Sequence, residues 1–179
     1  MSSCQENIVL IGFMGTGKST VGKHIAQKTG RVFVDADYEI ERLEHMPISD
    51  IFSVKGEKYF RDKETAVIKE LVQHQNTVIA TGGGAVLRSE NIRHLRQTGV
   101  IIHLKADVET ILRNTAKDTK RPLLQANDVK ARIVSMLAQR QPYYEQHDYE
   151  VDVSHLTVEQ IVDAIIQHTK GGRIKDAII

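Results

Sequence analysis

The 179-residue sequence has one cysteine, Cys4, so no disulfide can close within the chain. Its eight histidines nowhere fall with it in a zinc-binding spacing, and a reducing cytoplasm is the expected setting. No charge of one sign dominates. Lys plus Arg number 24 against 23 for Asp plus Glu, a net charge of +1, which excludes a general nucleic-acid binder and leaves any basic site local. No apolar run approaches the roughly 18 residues of a spanning helix. The opening MSSCQENIVL lacks a basic segment followed by an apolar stretch and a small-residue cleavage site, so export is not expected. Internal repeats and low-complexity tracts are also missing. Together with the length, this predicts one domain that contains everything functional.

What is present is alternation. Short β-branched runs at residues 7–11, 31–34, 77–80, 100–104 and 149–153 are separated by longer segments of helical period. That is the pattern of βαβ units and a parallel α/β sheet with both faces covered. Residues 18–29 place Val21, Ile25 and Ala26 on one helical face, and 57–74 do the same with Phe60, Val67, Ile68, Leu71 and Val72. At 157–168, Thr157 and Gln160 fit a capping box, followed by a stripe of Val158, Ile161, Val162, Ile165 and Ile166.

Directly after the first run comes Gly12-Phe13-Met14-Gly15-Thr16-Gly17-Lys18-Ser19, a phosphate-binding loop in its strand, loop, helix context. Gly12, Gly15 and Gly17 let backbone N–H groups converge on phosphate oxygens, and the following helix adds its positive end. Lys18 supplies a point charge and Ser19 a magnesium ligand, so a nucleoside triphosphate is the expected occupant. Thr16 and Thr20 complete the candidate nucleotide set.

Phe33-Val34-Asp35-Ala36-Asp37 sets two carboxylates at a strand's carboxyl end, where ligands bind in open α/β sheets. Two apart on an extended segment, Asp35 and Asp37 would point the same way, one toward hydrated magnesium and one toward an acceptor hydroxyl. Alternatively, Asp37 caps a helix beginning near Tyr38. The 77–80 strand runs into Gly82-Gly83-Gly84, whose entropic penalty is explained if a ligand comes close to the main chain. Arg61, expected on the exposed flank of a helix, and Arg140, near a helix end, together suggest a bidentate carboxylate site.

Residues 113–125 carry four basic side chains, Arg113, Lys117, Lys120 and Arg121, against Asp118. They read as a polar loop ended by Pro122, with a new helix starting near Asn127. Residues 170–179 form a tail opened by Gly171 and Gly172, with no assigned role.

Taken in order, GFMGTGKST, FVDAD, GEKYFR, TGGGAV, RPLL and RQPYY make the chain resemble the shikimate kinases over nearly its whole length. The resemblance implies a three-layer P-loop NTPase fold with a five-stranded parallel sheet in the order 2-3-1-4-5, and a mobile lid near 113–125. It implies transfer of the ATP γ-phosphoryl group to the 3-hydroxyl of shikimate, with magnesium, on the way to chorismate and the aromatic amino acids. Carried over residue by residue, it makes Lys18 the phosphate lysine and Ser19 the magnesium ligand, with Asp35 assisting through water. Asp37 holds the attacking hydroxyl, Arg61 and Arg140 clamp the shikimate carboxylate, and Gly82, Gly83 and Gly84 lie against the acceptor. Arg121 becomes a lid arginine reaching the phosphates. Arg113 is expected against the adenine and Ser154 at the nucleotide, in a segment, Val153-Ser154-His155-Leu156, without the proline often found there in the family. A cytoplasmic monomer acting on small molecules, without nucleic acid or membrane, is expected. The alternatives are a gluconate kinase-like enzyme, which would not be expected to pair GEKYFR with TGGGAV and RQPYY, and an ATP-dependent regulatory switch, which needs no acceptor set.

Overall fold

The computed structural model describes residues 6–116 and 128–170. The strands are β1 (Asn7–Ile11), β2 (Val32–Asp35), β3 (Thr77–Ala80), β4 (Gly99–Lys105) and β5 (Tyr149–Asp152). They form one sheet in the order β2-β3-β1-β4-β5 with every neighbour parallel, as expected from the resemblance. Ile8 sits opposite both Val78 and Val100, which puts β1 at the centre.

The period of two along β1 sorts the core into two layers. Ile8 and Leu10 face one side, with Val78, Ile102 and Leu104, and are covered by α1 (Lys18–Thr29) and α7 (Val158–Lys170). Val9 and Ile11 face the other, with Ile79 and Ile101. That layer is covered by α2 (Ala36–Glu44), α3 (Ile48–Leu71), α4 (Ser89–Thr98), α5 (Val108–Thr115) and α6 (Val129–Tyr144). A short 3-10 turn, Ala85–Leu87, follows β3. Because all strands run the same way, the loops after them gather along one edge, and that edge holds the site.

Several boundaries differ from those read in the sequence. Strand β2 runs from Val32 to Asp35, one residue later than the expected 31–34. Helix α3 starts at Ile48, nine residues before the expected Glu57, because Gly56 kinks it with φ 83° and ψ 166°, so only its second half shows an unbroken period. Helix α6 starts after the capping carboxylate of Asp128, which accepts from the Ala131 N–H at 2.9 Å. The Thr157–Gln160 capping box is formed reciprocally, with bonds of 2.9 and 3.2 Å, and of the expected stripe on α7 only Val158 is exposed. The sequence pattern gave no signal for helices α4 and α5. Arg113, assigned to the start of a loop, belongs to the last turn of α5. Residues 114 and 115 of the expected lid also belong to α5, whereas residues 117–125, including Arg121, and the tail from 171 lie outside the described residues.

Candidate active site

The loop between β1 and α1 is built around close contacts that only certain residues permit. Gly12 has φ +148° and lies so near the carbonyl of Leu104 on β4 that a Cβ there would collide with it. Gly15 and Gly17 also have positive φ, and Gly17 occupies the N-cap of α1. The Thr16 hydroxyl bonds the Phe13 carbonyl at 2.9 Å, so it shapes the loop from within. The stem of Lys18 is buried, and its Nζ donates to the carbonyls of Gly12 at 2.7 Å and Phe13 at 2.8 Å. Ser19 donates its hydroxyl to Asp35 Oδ2 at 2.5 Å, bringing the two expected metal-binding oxygens side by side. Thr20 lies exposed on α1, its carbonyl accepting from His24 Nδ1.

Asp35 is the N-cap of α2: its other oxygen accepts from the N–H groups of Asp37 at 3.0 Å and Tyr38 at 3.3 Å. This corrects the sequence reading on two points. Asp37 lies in the first turn of the helix rather than on an extended segment, and the capping role belongs to Asp35. The helical turn still directs both carboxylates to one cavity. There Asp37 Oδ1 comes within 2.5 Å of the place a Cβ would take on Gly82, so the glycine makes room for the carboxylate.

The cavity, about 480 Å³, opens beside the phosphate loop at Met14. Gly82, Gly83 and Gly84 form one wall, and the charged groups of Asp37, Arg61 and Arg140 meet there with the carboxylates of Asp35, Glu41, Glu57 and Glu64. Apolar surface comes from Ile48 and Phe52 in the first half of α3 and Phe60 in the second. The kink at Gly56 thus lets both halves of one helix line it. Arg61 is not on an exposed flank: its side chain is 12% exposed, its guanidinium stands against Gly84, and Nη1 donates to Glu64 Oε2 at 2.7 Å. Glu64 is itself buried. Burial raises its carboxyl above the ordinary range, while the adjacent Arg61 charge opposes that shift. Arg140 lies over the Phe13 ring and donates to the Gly83 carbonyl at 3.3 Å, and Tyr144 donates its hydroxyl to the same carbonyl at 2.7 Å. Burial pushes the Tyr144 phenol up to about 12, so it remains a donor through the neutral range.

The nucleotide-side expectations beyond the loop are placed less directly. Arg113 is exposed and donates to Thr110 of its own helix at 3.2 Å. Ser154 accepts from the Asp107 N–H at 2.9 Å, tying the end of β5 to the start of α5. Sequence reasoning missed Asn114, whose amide donates to the Gly15 carbonyl at 2.8 Å and fastens α5 to the phosphate loop. It also missed Glu64 and Tyr144. Their positions held a signal, since Glu64 is three residues beyond Arg61 and Tyr144 four beyond Arg140, each on the same helix face as the arginine.

Known proteins are similar to this chain in sequence and fold. The shikimate kinase family model matches residues 14–170. The shikimate kinase of Caldanaerobacter subterraneus subsp. tengcongensis is 47% identical over 162 residues, 90% of this chain and 95% of that protein. The solved shikimate kinase of Acinetobacter baumannii in complex with shikimate superposes with a TM-score of 0.90 at 38% identity, covering 96% of each chain. A gluconokinase from Sinorhizobium meliloti, at 19% identity and a TM-score of 0.56, covering 94% of this chain and 93% of its own, shares the fold alone. A family match over most of its length and close relatives spanning nearly all of it make this chain a member of the shikimate kinase family.

Proposed function

We propose that the chain transfers the γ-phosphoryl group of ATP to the 3-hydroxyl of shikimate. The observation that supports this best is the cavity beside the phosphate loop, where Asp37 among several carboxylates, the two arginines Arg61 and Arg140, and a glycine wall face the same space. A cyclic polyhydroxy acid needs that combination: cationic groups for its carboxylate, close main chain for its hydroxyls, and an anionic acceptor for the reacting hydroxyl. Family membership and the bound shikimate of the Acinetobacter baumannii relative support the same reading.

In this reading the phosphate loop and Lys18 hold the β- and γ-phosphates. Ser19 and Asp35 suit magnesium, because both offer hard oxygen ligands and already lie in contact. When bound, magnesium neutralises charge on the phosphate oxygens. Asp37 accepts a hydrogen bond from the attacking hydroxyl and directs its lone pair along the loop; a loose transition state asks little early deprotonation, so orientation is its main contribution. Arg61 and Arg140 fix the carboxylate end of the acceptor. Arg121 reaches the phosphates, while Arg113 and Ser154 flank the nucleotide base. The enzyme works as a cytoplasmic monomer; among the described residues no helix is long and apolar enough to cross a membrane.

An ATP turnover assay with shikimate omitted and then added tests the reading. ADP release that depends on shikimate, with phosphate found on its 3-oxygen, is the expected result. Equal hydrolysis with and without acceptor would favour a switch, and gluconate-dependent turnover a sugar-acid kinase.

A further inference from the structure

A second cluster of ligating side chains lies behind the acceptor cavity, on elements that carry none of the phosphate loop. His103 on β4 sits opposite Glu150 on β5 in the sheet register, and its Nδ1 is 3.0 Å from Glu150 Oε2. The connection from α6 to β5 brings in His147, whose ring centroid is 5.5 Å from that of His103. One ligating atom from each of the three side chains lies within 4.8 Å of the others. We propose that His103, His147 and Glu150 form a binding site for a divalent transition metal of the zinc class, distinct from the magnesium oxygens of Ser19 and Asp35.

The surroundings prepare the ligands. His147 Nδ1 faces the Tyr144 carbonyl at 2.8 Å. A carbonyl can only accept, so Nδ1 carries the proton and the lone pair lies on Nε2; this backbone hydrogen bond is the one that commonly orients a metal-binding histidine. Between His103 and Glu150 the 3.0 Å contact is bridged by a proton. Two ligands at ordinary zinc distances and tetrahedral angles stand roughly 3.3 Å apart, so a metal ion can replace that proton with little movement. His147 closes the remaining distance by a small shift of its loop. Two histidines and one carboxylate leave the fourth position to water, and the proton displaced from His103 Nδ1 moves to Nε2 of the same ring, which stays neutral as it ligates.

Lys105 opposes the cation. Its Nζ lies 3.3 Å from Glu150 Oε1, where it already neutralises part of the carboxylate charge. The position of the site also gives it a consequence. The His103 ring stacks on Tyr144 with centroids 4.9 Å apart and planes 10° from parallel, and the Tyr144 hydroxyl holds the Gly83 carbonyl. A metal joining β4, β5 and the α6–β5 connection would therefore stiffen the back wall of the acceptor cavity.

Zinc titration of the full chain by calorimetry, in excess magnesium and without nucleotide, tests this. Wild type should bind one zinc at this site, raise its unfolding temperature with zinc, and shift the imidazole nitrogen resonances of His103 and His147. His147→Ala and Glu150→Gln should each weaken zinc binding by at least tenfold, about the lower bound for losing a ligand contact. Lys105→Gln should tighten it, and shikimate-dependent turnover in magnesium alone should be unchanged in His147→Ala. Absence of zinc binding to wild type, or equal affinity in wild type, His147→Ala and Glu150→Gln, would overturn the proposal.

Discussion

Arg61 and Glu64, one helical turn apart on α3, form an ion pair of 2.7 Å in which the carboxylate is 1% exposed and the arginine 12%. The arginine offered to the acceptor is therefore also the counter-ion of a buried acid. The two roles separate by mutation. Arg61→Ala should weaken acceptor binding by one to two decades, roughly the worth of a charge-assisted contact, and also destabilise the fold by about 3 kcal/mol because Glu64 is left without its partner. Adding Glu64→Gln should restore much of the stability and none of the acceptor affinity. Urea unfolding and shikimate titration on both variants check this; a double variant as unstable as the single one would show that the pair does not hold α3.

Lys18→Met keeps the buried stem and removes the ammonium that bonds Gly12 and Phe13. Groups aimed at phosphoryl charge commonly supply a factor of about a hundred or more, so turnover should fall at least that far. The circular dichroism spectrum should stay near wild type, with the unfolding midpoint lowered by the loss of the two bonds to Gly12 and Phe13. Near-normal turnover in the folded variant would remove Lys18 from the catalytic set.

Tyr144→Phe deletes one hydroxyl and leaves the stack on His103 in place. The Gly83 carbonyl then keeps only the longer bond from Arg140 at 3.3 Å. A stability loss of about 1 kcal/mol is expected, with a several-fold rise in the KM for shikimate. The KM for ATP should not change, since Gly83 belongs to the acceptor wall. Equal effects on both substrates would mean that Tyr144 supports the whole edge of the sheet instead.

How much of this was legible in the sequence depends on the range of the interaction. The phosphate loop could be read because its residues are contiguous and each glycine meets a local demand, as at Gly12 against Leu104. The strands could be read because β1 is buried on both faces. The order of the strands came through the family resemblance, since period and propensity carry no information on which strands pair. Arg61 looked exposed because a single arginine in a sequence reveals nothing about its surroundings, and only the fold turns Glu64 inward beside it. Asp37 was assigned to an extended segment because Asp35 serves two functions at once, closing β2 and capping α2. The His103, His147 and Glu150 cluster was invisible for the same reason: it joins positions 47 residues apart that only β-pairing brings together.

Glu44, at the end of α2, offers a test by pH. It accepts from Lys55 Nζ at 2.6 Å and Tyr59 at 2.9 Å and pairs with Lys63 at 2.9 Å, joining α2 to the α3 segment that lines the acceptor cavity. Lys55 first, and Lys63 next, hold its carboxyl down at about 2. In the unfolded chain a glutamate titrates near about 4.3, so the unfolded state binds the proton more tightly over the interval between. The stabilisation from Glu44 is therefore complete above about pH 5 and is lost as pH falls toward about 2. Glu44→Gln should unfold at lower urea than wild type at neutral pH, and the gap between the two midpoints should close steadily on acidification. Salt should also narrow it, because both lysines are partly exposed and their attraction is screened. Loosening α2 from α3 should raise the KM for shikimate more than the KM for ATP. A midpoint difference that stays constant from neutral pH down to about 2.5 would show that Glu44 acts through packing rather than charge.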